Sequence, residues 1–526
     1  MRVIIYDTTL RDGTQREGLT LLAEDKLKLA KKLDGFGVDY IEGGWPGSNP
    51  KDKEFFALAK GWQPKHSVLT AFGSTRKKDI LPENDLNLQS ILESGVKAAA
   101  IFGKTWIFHV IEALNTTKEE NLKMIYDSVA YLTSKGLEVH FDAEHFFDGY
   151  KDNPEYALAC LEQAYLAGAK SLVLCDTNGG TLPDFVYKAT KVVVEKFPNT
   201  LVGIHAHNDS ELAVANSLLA IDAGAKIIQG TINGYGERCG NANLCSIIPN
   251  LKLKKGYDLL LDDSLKRLTE VSHYFDEIAN LIPDDYQPFT GKAAFAHKGG
   301  IHVSALRKNP ETYEHIQPEL VGNKRRVLVS ELSGIANLSY KAEEYGVFEE
   351  QNSFSPLLNT VKNLEFKGYS FEGAEASFEL LLKRSLGLIP EFFELKGLRM
   401  IIEKNGSETV SAEATIKILV GDRLLHTVSD GDGPVNALDK ALKLALRGVY
   451  PEVDDIQLTD YKVRVLDPRS ATAASVRVLI ESTGFGASWG TVGVSPNIIE
   501  ASWRALSDSI NYGLYKARDI SNQPLL

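Results

Sequence analysis

A regular alternation of short β-like runs with helical segments through the first half of the chain is the feature that most constrains the fold. Helical spacing separates the runs, as in Ala23–Phe36, where Leu27, Ala30 and Leu33 recur on one face. Eight strand–helix units in about 250 residues predict a (β/α)8 TIM barrel. The predicted strands are Val3–Tyr6, Val38–Glu42, His66–Ala71, Lys97–Phe102, Leu137–Ala143, Ser171–Cys175, Leu201–Ala206 and Lys226–Gly230.

An open, doubly wound sheet is the competing interpretation of this alternation. Such a sheet normally carries a Gly-rich fingerprint after its first strand. The first predicted strand is instead followed by a charged segment, Asp7 to Glu17. The barrel is therefore favoured.

The chain has 526 residues, which exceeds what one hydrophobic core normally covers, so we expect further domains. An amphipathic helix over Ser264–Ile282 ends the predicted barrel, residues 1–282. Residues 283–390 form a predicted linker region, irregular over Pro283–Leu338 and helical over Ala342–Ser385. Residues 391–526 form a predicted C-terminal domain.

This C-terminal part contains an internal repeat, in which three strands and a helix occur twice. Each helix follows a Gly-rich turn and a proline, Pro434 or Pro496, which is a helix start signal. The repeat predicts an α+β regulatory or dimerisation domain built from a duplicated βββα unit. A cleft for a small ligand and a dimerisation module without a ligand are both compatible with it. The predicted elements are Leu398–Glu403, Val410–Leu419, Arg423–Val428 and helix Val435–Leu446, then Tyr461–Leu466, Ser475–Glu481, Ser488–Val494 and helix Asn497–Ile510.

The net charge and the cysteine content limit the possible partners and the possible cellular compartment. Acidic residues number 70 and basic residues 58, a formal net charge of -12, so we expect no nucleic-acid or membrane partner. The four cysteines form no Cys-x-x-Cys pair, which favours a reducing compartment, and we expect the cytoplasm. The strand-like Val3–Tyr6 leaves no room for a signal peptide, although an organellar origin with a removed transit peptide stays open.

Polar residues follow several of the predicted strands, where a barrel carries its chemistry. His205 and His207 are two residues apart on a strand, so both imidazoles point to the same side. Asp12 and Asn241 would complete a mixed nitrogen and oxygen set that suits Mg²⁺, Mn²⁺, Co²⁺ or Zn²⁺. A lone histidine is more often a hydrogen-bonded core residue, but the pair favours chelation. We expect nearby Cys239 to be a small packed residue.

Other rim residues have two interpretations each. Arg11 could polarise a carbonyl or hold a carboxylate, or form a structural salt bridge. Asp142 and Glu144 share a face of strand five, so their pKa values should separate and leave one able to act as an acid, although either could instead support the ligands. Thr177 could donate its hydroxyl to a substrate carboxylate, or lie in an ordinary turn.

Three segments together resemble a known enzyme family: Asp7-Thr-Thr-Leu-Arg-Asp-Gly-Thr-Gln15, His205-Ala-His-Asn-Asp209 and Gly234-Tyr-Gly-Glu-Arg-Cys-Gly-Asn241. They are similar to the signatures of the 2-isopropylmalate, homocitrate and citramalate synthases of the DRE-TIM metallolyase superfamily. The resemblance covers nearly the whole chain. The C-terminal duplication resembles the family's regulatory domain, which binds an end-product amino acid.

The resemblance implies residue roles and a reaction. Asp12, His205, His207 and Asn241 match the metal ligands, and Arg11 matches the arginine that polarises the keto group. Glu144 and Thr177 match residues that contact the 2-oxo acid. The segment His297-Lys-Gly-Gly-Ile-His302 resembles one that enters the partner subunit's active site, where His302 matches a histidine proposed to help deprotonate the acetyl-CoA methyl. The implied activity is a Claisen-type acyl transfer in a homodimer, followed by thioester hydrolysis.

The choice of 2-oxo acid depends on two further segments. Residues Glu42–Asp52 and Ala71–Arg76 resemble the branch of the family whose acceptor is pyruvate, and Trp45 could narrow the pocket to suit a methyl group or could simply pack. That branch implies a role in isoleucine biosynthesis and isoleucine as feedback effector. The alternative is the branch that uses 2-oxoisovalerate for leucine biosynthesis.

Two more distant functions are possible for a barrel of this type. A retro-aldol or acyl-CoA lyase on the same barrel would generally lack the C-terminal duplication. A non-enzymatic amino-acid sensor would require loss of a metal ligand or of Arg11, and both are present in the sequence.

Overall fold

The computed structural model describes residues 2–405, 409–466 and 474–521. The chain divides into two compact units, Met1–Phe295 with His315–Arg325 and Ala296–Glu314 with Arg326–Leu526. The three-part division at residues 283 and 391 stays a prediction. No helix in the described ranges is long and apolar enough to cross a membrane.

In the first unit, eight parallel strands form a closed barrel in sequential order, and the last strand pairs with the first. The predicted (β/α)8 barrel is confirmed. Several strands extend one to three residues beyond their predicted carboxyl ends, so that Asp7, Gly44 and Glu144 are still strand residues. The strands are β1 Ile4–Asp7, β2 Tyr40–Gly44, β3 Val68–Ser74, β4 Ala98–Lys104, β5 Glu138–Glu144, β6 Ser171–Asp176, β7 Leu201–Ala206 and β8 Ile227–Gly230.

Helices surround these strands and bury an apolar face against them. In α1, Leu29, Ala30 and Leu33 are buried at helical spacing, and α2, α7 and α8 each begin with a proline in the first turn. The helices of this unit are α1 Ala23–Phe36, α2 Pro50–Ala59, α3 Leu86–Glu93, α4 Ile107–Glu112, α5 Lys118–Ser134, α6 Phe146–Asp152, α7 Pro154–Leu166, α8 Pro183–Lys196, α9 Ala213–Asp222, α10 Leu244–Pro249 and α11 Leu268–Ile278.

Aromatic rings fill the barrel interior beneath the carboxyl ends of the strands. Tyr6 and Tyr40 stack with ring centroids 5.4 Å apart, and the His140 ring contacts Tyr40 edge-on at 4.6 Å. His140 Nδ1 hydrogen-bonds the Ser171 hydroxyl at 2.7 Å, which satisfies one polar atom of the buried ring. The interior is therefore a packed core, and the space for a ligand lies above it, at the carboxyl ends of the strands.

The second unit begins with a short parallel pair of strands and a group of helices. The expectation of an irregular segment up to Leu338 is wrong in part, because Gly300–Lys308 is helical and buries Val303 and Leu306. The region from Ala342 to Ser385 is helical as predicted, but in separate helices with breaks between them. The elements are β9 Ala296–His297, α12 Gly300–Lys308, β10 Arg326–Val327, α13 Ile335–Glu344, α14 Ser355–Phe366 and α15 Glu375–Ser385.

The C-terminal part of this unit contains two three-stranded antiparallel sheets, each followed by a helix. The predicted βββα duplication is confirmed. A shared core unites the two halves: Ile416 of the first sheet, Ile480 of the second, and the helix residues Leu442 and Leu506 belong to one buried cluster. The elements are β11 Glu394–Asn405, β12 Thr409–Val420, β13 Arg423–Gly431 and α16 Pro434–Leu446, then β14 Gln457–Val465, β15 Val476–Gly484, β16 Ala487–Ser495 and α17 Ile498–Ser521.

Candidate metal and substrate site

The loop after β8 folds back onto the end of β7 and brings distant polar residues together. Ala242 N donates to Ala206 O at 2.9 Å, Asn208 N donates to Gly240 O at 2.8 Å, and His207 and Asn241 form an antiparallel bridge. This extra pairing places the Asn241 side chain beside the two histidines of β7.

Asp12, His205 and His207 form a buried cluster at the carboxyl ends of the strands. One potential ligand atom from each lies within 4.8 Å of the others, which is a spacing that can hold one metal ion. Asp12 Oδ2 is 3.0 Å from His205 Nε2 and 4.0 Å from His207 Nε2. The structure thus brings together all four residues predicted as ligands, since Asn241 Nδ2 lies 2.8 Å from Asp12 Oδ2 and 3.2 Å from His205 Nε2.

The polar atoms around Asn241 fit a divalent metal. Asn241 Oδ1 is buried and has no hydrogen-bond partner among the described residues, which normally costs free energy. It points toward Gly236, where an added Cβ would lie only 1.8 Å from it, so glycine at 236 makes room for the amide. Half a turn of the amide exchanges Oδ1 with Nδ2 and puts the oxygen beside Asp12 and His205. The donor set is then two imidazole nitrogens and two oxygens, which suits a divalent transition metal or Mg²⁺.

The pKa values of Asp12 and His207 are both shifted by their surroundings. Burial alone would raise the pKa of Asp12, but Arg11 and then His205 outweigh burial and lower it well below its usual range. Burial, followed by the neighbouring His205, lowers the pKa of His207 to about 4. Asp12 is therefore a carboxylate and His207 a neutral imidazole near pH 7, which are the forms that bind metals.

Gln229 on β8 hydrogen-bonds to His205 of this cluster, a contact that the sequence analysis did not predict. Its Nε2 donates to Asp142 Oδ1 at 2.9 Å, and its Oε1 lies 2.8 Å from His205 Nδ1. Since Oε1 can only accept, Nδ1 carries a proton, so Nε2, which faces Asp12, is the nitrogen left to bind a metal. Burial alone would lower the pKa of His205, but hydrogen bonding to Asp12 outweighs burial and raises it. The inward position of Gln229 in β8 was the available signal.

Arg11 is held from three sides. Its Nε donates to Glu42 Oε1 at 2.6 Å, its Nη1 lies 3.3 Å from Asp12 Oδ1, and its guanidinium carbon is 3.7 Å from the centre of the Phe72 ring. Glu42 is fully buried and also accepts from the Tyr6 hydroxyl at 2.9 Å. Both the salt bridge and the cationic group at the cavity are present, and the sequence did not indicate that Glu42 is the carboxylate partner of Arg11.

Asp142 and Glu144 differ in their environments. Burial, followed by the charge of Glu42, raises the pKa of Asp142 to about 7. The principal charged neighbour is therefore Glu42 rather than Glu144, which was the expected one. Glu144 is half-buried and forms an ion pair with Lys104. Asp142 can thus hold a proton near neutral pH.

Thr177 is positioned by two hydrogen bonds, one from His145 and one from Arg238. Its hydroxyl oxygen accepts from His145 N at 2.9 Å, so its own proton is left to donate. Its carbonyl accepts from Arg238 Nη2 at 2.8 Å, and Arg238 is held in turn by Asp209. This bridge joins the loop after β8 to the loop after β6.

A cavity of about 240 Å³ opens beside the cluster, and the predicted residues Arg11, Asp12, Asp142, Glu144, Thr177, His205 and His207 line it. One wall is aromatic. Trp45 meets Phe72 and Phe102 edge-on, with ring centroids 5.5 and 5.6 Å apart. The cavity therefore joins charged and metal-binding groups to an apolar surface.

Neither His302 nor Cys239 is among the described residues that line this cavity. His302 belongs to α12 in the second unit, where its ring stacks on Tyr313 with centroids 4.1 Å apart, and its catalytic role stays a prediction. Cys239 is exposed rather than packed, because it lies in an exposed turn, residues 237–239, with positive φ at Arg238 (56°) and Gly240 (94°).

Known families match the chain in three consecutive parts. The HMGL-like model matches residues 2–274, the homocitrate synthase post-HMGL domain-like model matches residues 289–368, and the LeuA allosteric (dimerisation) domain model matches residues 372–514.

Full-length relatives are also similar. The (R)-citramalate synthase of Aquifex aeolicus (strain VF5) is 54% identical over 518 residues, which cover 98% of each chain. That of Geobacter sulfurreducens is 52% identical over 525 residues, again 98% of each chain. A probable 2-isopropylmalate synthase of Methanopyrus kandleri is 30% identical over 518 residues, which cover 98% of this chain and 99% of the other.

Proposed function

The chain belongs to the HMGL-like family that includes the (R)-citramalate and 2-isopropylmalate synthases, and we propose that it is an acyltransferase that condenses acetyl-CoA with pyruvate to give (R)-citramalate and CoA. The observation that carries the proposal is the similarity to (R)-citramalate synthases, at 45 to 54% identity over nearly the full chain. The 2-isopropylmalate synthases among its relatives are more distant, at 29 to 36% identity.

We propose that Asp12, His205, His207 and Asn241 hold a divalent cation, which is Mg²⁺, Mn²⁺, Co²⁺ or Zn²⁺. Their buried donor atoms and the unpartnered Asn241 Oδ1 support this assignment. A bound cation at this position supplies positive charge that polarises the carboxylate and keto oxygens of a 2-oxo acid.

The surrounding residues would bind and orient the 2-oxo acid. Thr177 donates its free hydroxyl proton to the carboxylate. Arg11 presents a fixed positive charge where negative charge develops on the keto oxygen, and because Glu42 and Phe72 hold it in place, little reorganisation is needed during reaction. Glu144 contacts the acceptor, and Asp142, whose pKa lies at about 7, can exchange a proton with it.

The reaction then consists of two steps, a condensation and a hydrolysis. A base removes one methyl proton from acetyl-CoA, the carbon bonds to the keto carbon of pyruvate, and the keto oxygen takes up a proton. Water next cleaves the thioester, which releases CoA as the thiol and leaves a carboxylate. We propose that His302 of the partner subunit assists the first proton removal.

The aromatic wall supports pyruvate as the acceptor. Trp45, Phe72 and Phe102 border the cavity that Arg11 and Asp12 enter, so the alkyl group of the 2-oxo acid would face large, closely packed rings. A methyl group requires less space there than an isopropyl group. One methylene changes selectivity by about 10- to 200-fold, so the difference is measurable.

The deciding experiment measures CoA release from acetyl-CoA with pyruvate and with 2-oxoisovalerate as alternative acceptors. We expect kcat/KM to be at least about 100-fold higher with pyruvate, since two carbons distinguish the acceptors. A preference for 2-oxoisovalerate would make the chain a 2-isopropylmalate synthase. Cleavage of a 3-hydroxyacyl-CoA without either condensation would instead favour a lyase.

We also propose a homodimer in a reducing compartment such as the cytoplasm, with isoleucine as the feedback effector bound by the C-terminal duplication. The match of residues 372–514 to an allosteric dimerisation domain and the four free cysteines support this. The CoA-release assay repeated with isoleucine and with leucine tests the effector. Inhibition by leucine alone, or a monomer in analytical ultracentrifugation, would contradict the proposal.

A further inference from the structure

Hydrogen bonds to its backbone and to its ring hold Trp45 in the cavity wall. We propose that Asn87 on α3, together with the buried Lys26–Asp52 pair, positions the Trp45 ring and so limits the size of the acceptor's alkyl group. This inference rests on the proposed condensation of acetyl-CoA with a 2-oxo acid.

The backbone leading to Trp45 leaves the regular barrel at a bulge. In β2, Glu42 pairs with Thr70 and Gly44 pairs with Ala71, so Gly43 is an extra residue. Bulges next to active sites change the direction of the side chains that follow. Gly44 has φ 149°, and a Cβ there would lie 2.4 Å from Asp52 Cγ, so only glycine allows the chain to turn this closely.

A buried ion pair holds this bulge. Lys26 and Asp52 have side chains only 2% and 8% exposed, and they contact each other directly. Lys26 Nζ also donates to Gly43 O at 3.1 Å, and Asp52 Oδ2 accepts from Trp45 N at 2.8 Å. Helices α1 and α2 therefore both bind the backbone immediately before the indole.

A second attachment acts on the indole ring itself. Trp45 Nε1 donates to Asn87 Oδ1 at 2.6 Å, and Asn87 Nδ2 donates to Ser74 O, at the end of β3, at 2.7 Å. Asn87 therefore connects the ring to both α3 and β3. Trp45 is thus bonded through both its backbone N–H and its ring edge, which restrains the ring against Phe72 and Phe102.

A fixed Trp45 ring would exclude acceptors whose alkyl group is too large for the cavity. If the indole could rotate outward, a larger alkyl group would enter at the cost of a side-chain rotation rather than a steric clash. These three residues are positioning residues, since they act through Trp45. Their loss should relax selectivity among acceptors while leaving the use of acetyl-CoA unchanged.

The test compares Asn87→Leu with the wild type, using kcat/KM for pyruvate and for 2-oxobutanoate, which is one methylene longer. Leucine has a similar volume but cannot accept the indole N–H. We expect the preference for pyruvate to fall at least about fivefold, and the KM for acetyl-CoA to stay within about twofold. Gln89→Leu is the matched control on the same helix, because the Gln89 amide bonds Glu83 O instead.

A double-mutant cycle separates positioning from general damage to the fold. In a Trp45→Phe background there is no indole N–H to hold, so adding Asn87→Leu should change selectivity no further. Equal effects of Asn87→Leu in both backgrounds, or unchanged selectivity in Asn87→Leu alone, would overturn the inference. Failure of the proposed function is distinguishable, because the wild type would then either release no CoA with both acceptors or show no preference for pyruvate over 2-oxobutanoate.

Discussion

Inside the barrel, Nδ1 of His205 lies 2.8 Å from Oε1 of Gln229, and this contact leaves Nε2 of the histidine facing Asp12. The tautomer of a proposed metal ligand is thus set by an uncharged neighbour on the adjacent strand. Because Gln229 also donates to Asp142, it joins the metal-binding cluster to the carboxyl group that can hold a proton near neutral pH.

Replacing Gln229 should therefore weaken metal binding without removing a ligand. We expect Gln229→Leu to reduce the affinity for Mn²⁺ by about 10- to 100-fold, because His205 loses the partner that fixes its tautomer and its ring orientation. Calorimetric titration of metal-stripped protein measures the change. Gln163→Leu on α7 is the control, and equal affinity in folded Gln229→Leu would argue against this role.

Removing a proposed ligand should have a larger effect. His205→Ala is expected to abolish both Mn²⁺ binding and CoA release, since the remaining groups no longer enclose a cation. His273→Ala, an exposed histidine on α11, should leave both unchanged. Circular dichroism checks the fold, and retention of turnover by His205→Ala would refute the assignment of the metal site.

Arg11→Lys tests whether the guanidinium acts during reaction or only pairs with Glu42. Lysine keeps the charge but cannot bond Glu42 through Nε or lie flat over Phe72. We expect kcat to fall by about 100- to 1000-fold, with a smaller change in the KM for pyruvate. A variant whose kcat stays within tenfold of the wild type would favour a structural salt bridge.

The proposed crossing of His302 into the partner's site predicts complementation between inactive variants. His302→Ala and His205→Ala should each be inactive as homodimers. In a mixed dimer one site has an intact cation cluster and an intact His302, so an equal mixture dissociated and reassociated should recover about a quarter of the wild-type activity. Recovery close to zero would show that both residues must belong to one chain.

Acid stability of the barrel should depend on Asp34. Burial alone would raise its pKa, but hydrogen bonds from the backbone N–H groups of Lys65, Ser67 and His66 outweigh burial and lower it below the ordinary value. Since the pKa is lower in the folded state, this carboxylate stabilises the fold above the unfolded pKa of about 3.9. That stabilisation is lost as pH falls through the folded pKa.

Asp34→Asn should accordingly cost about 1–2 kcal/mol at pH 6, with the difference from the wild type narrowing toward pH 3. Calorimetric unfolding across this range measures the difference. Asp184→Asn, at an exposed position on α8 where the carboxylate pairs only with the exposed Lys188, should change the stability by less than about 0.5 kcal/mol at any pH. A constant difference for Asp34→Asn would mean that the charge is not responsible.

Much of the site was predictable because strand ends and motifs coincide. Asp12, His205, His207 and Asn241 lie at the ends of β1, β7 and β8, and the parallel barrel brings these ends to one rim. Gln229 and the role of Glu42 were not predicted, because each is a single inward-pointing residue inside a strand. Their importance depends on which side chain lies opposite, and the spacing of residues along the chain does not contain that information.

The barrel, the duplicated C-terminal unit and the residue types of the proposed metal cluster could be predicted from the sequence alone, because each follows from local periodicity or a short motif. Three features required the folded structure: Glu42, and not Glu144, is the main charged neighbour of Asp142, Cys239 is exposed, and Asn87 accepts a hydrogen bond from Trp45. Such contacts join residues from different strands and helices. Their burial and distances are set by how the whole barrel closes, which no single segment specifies.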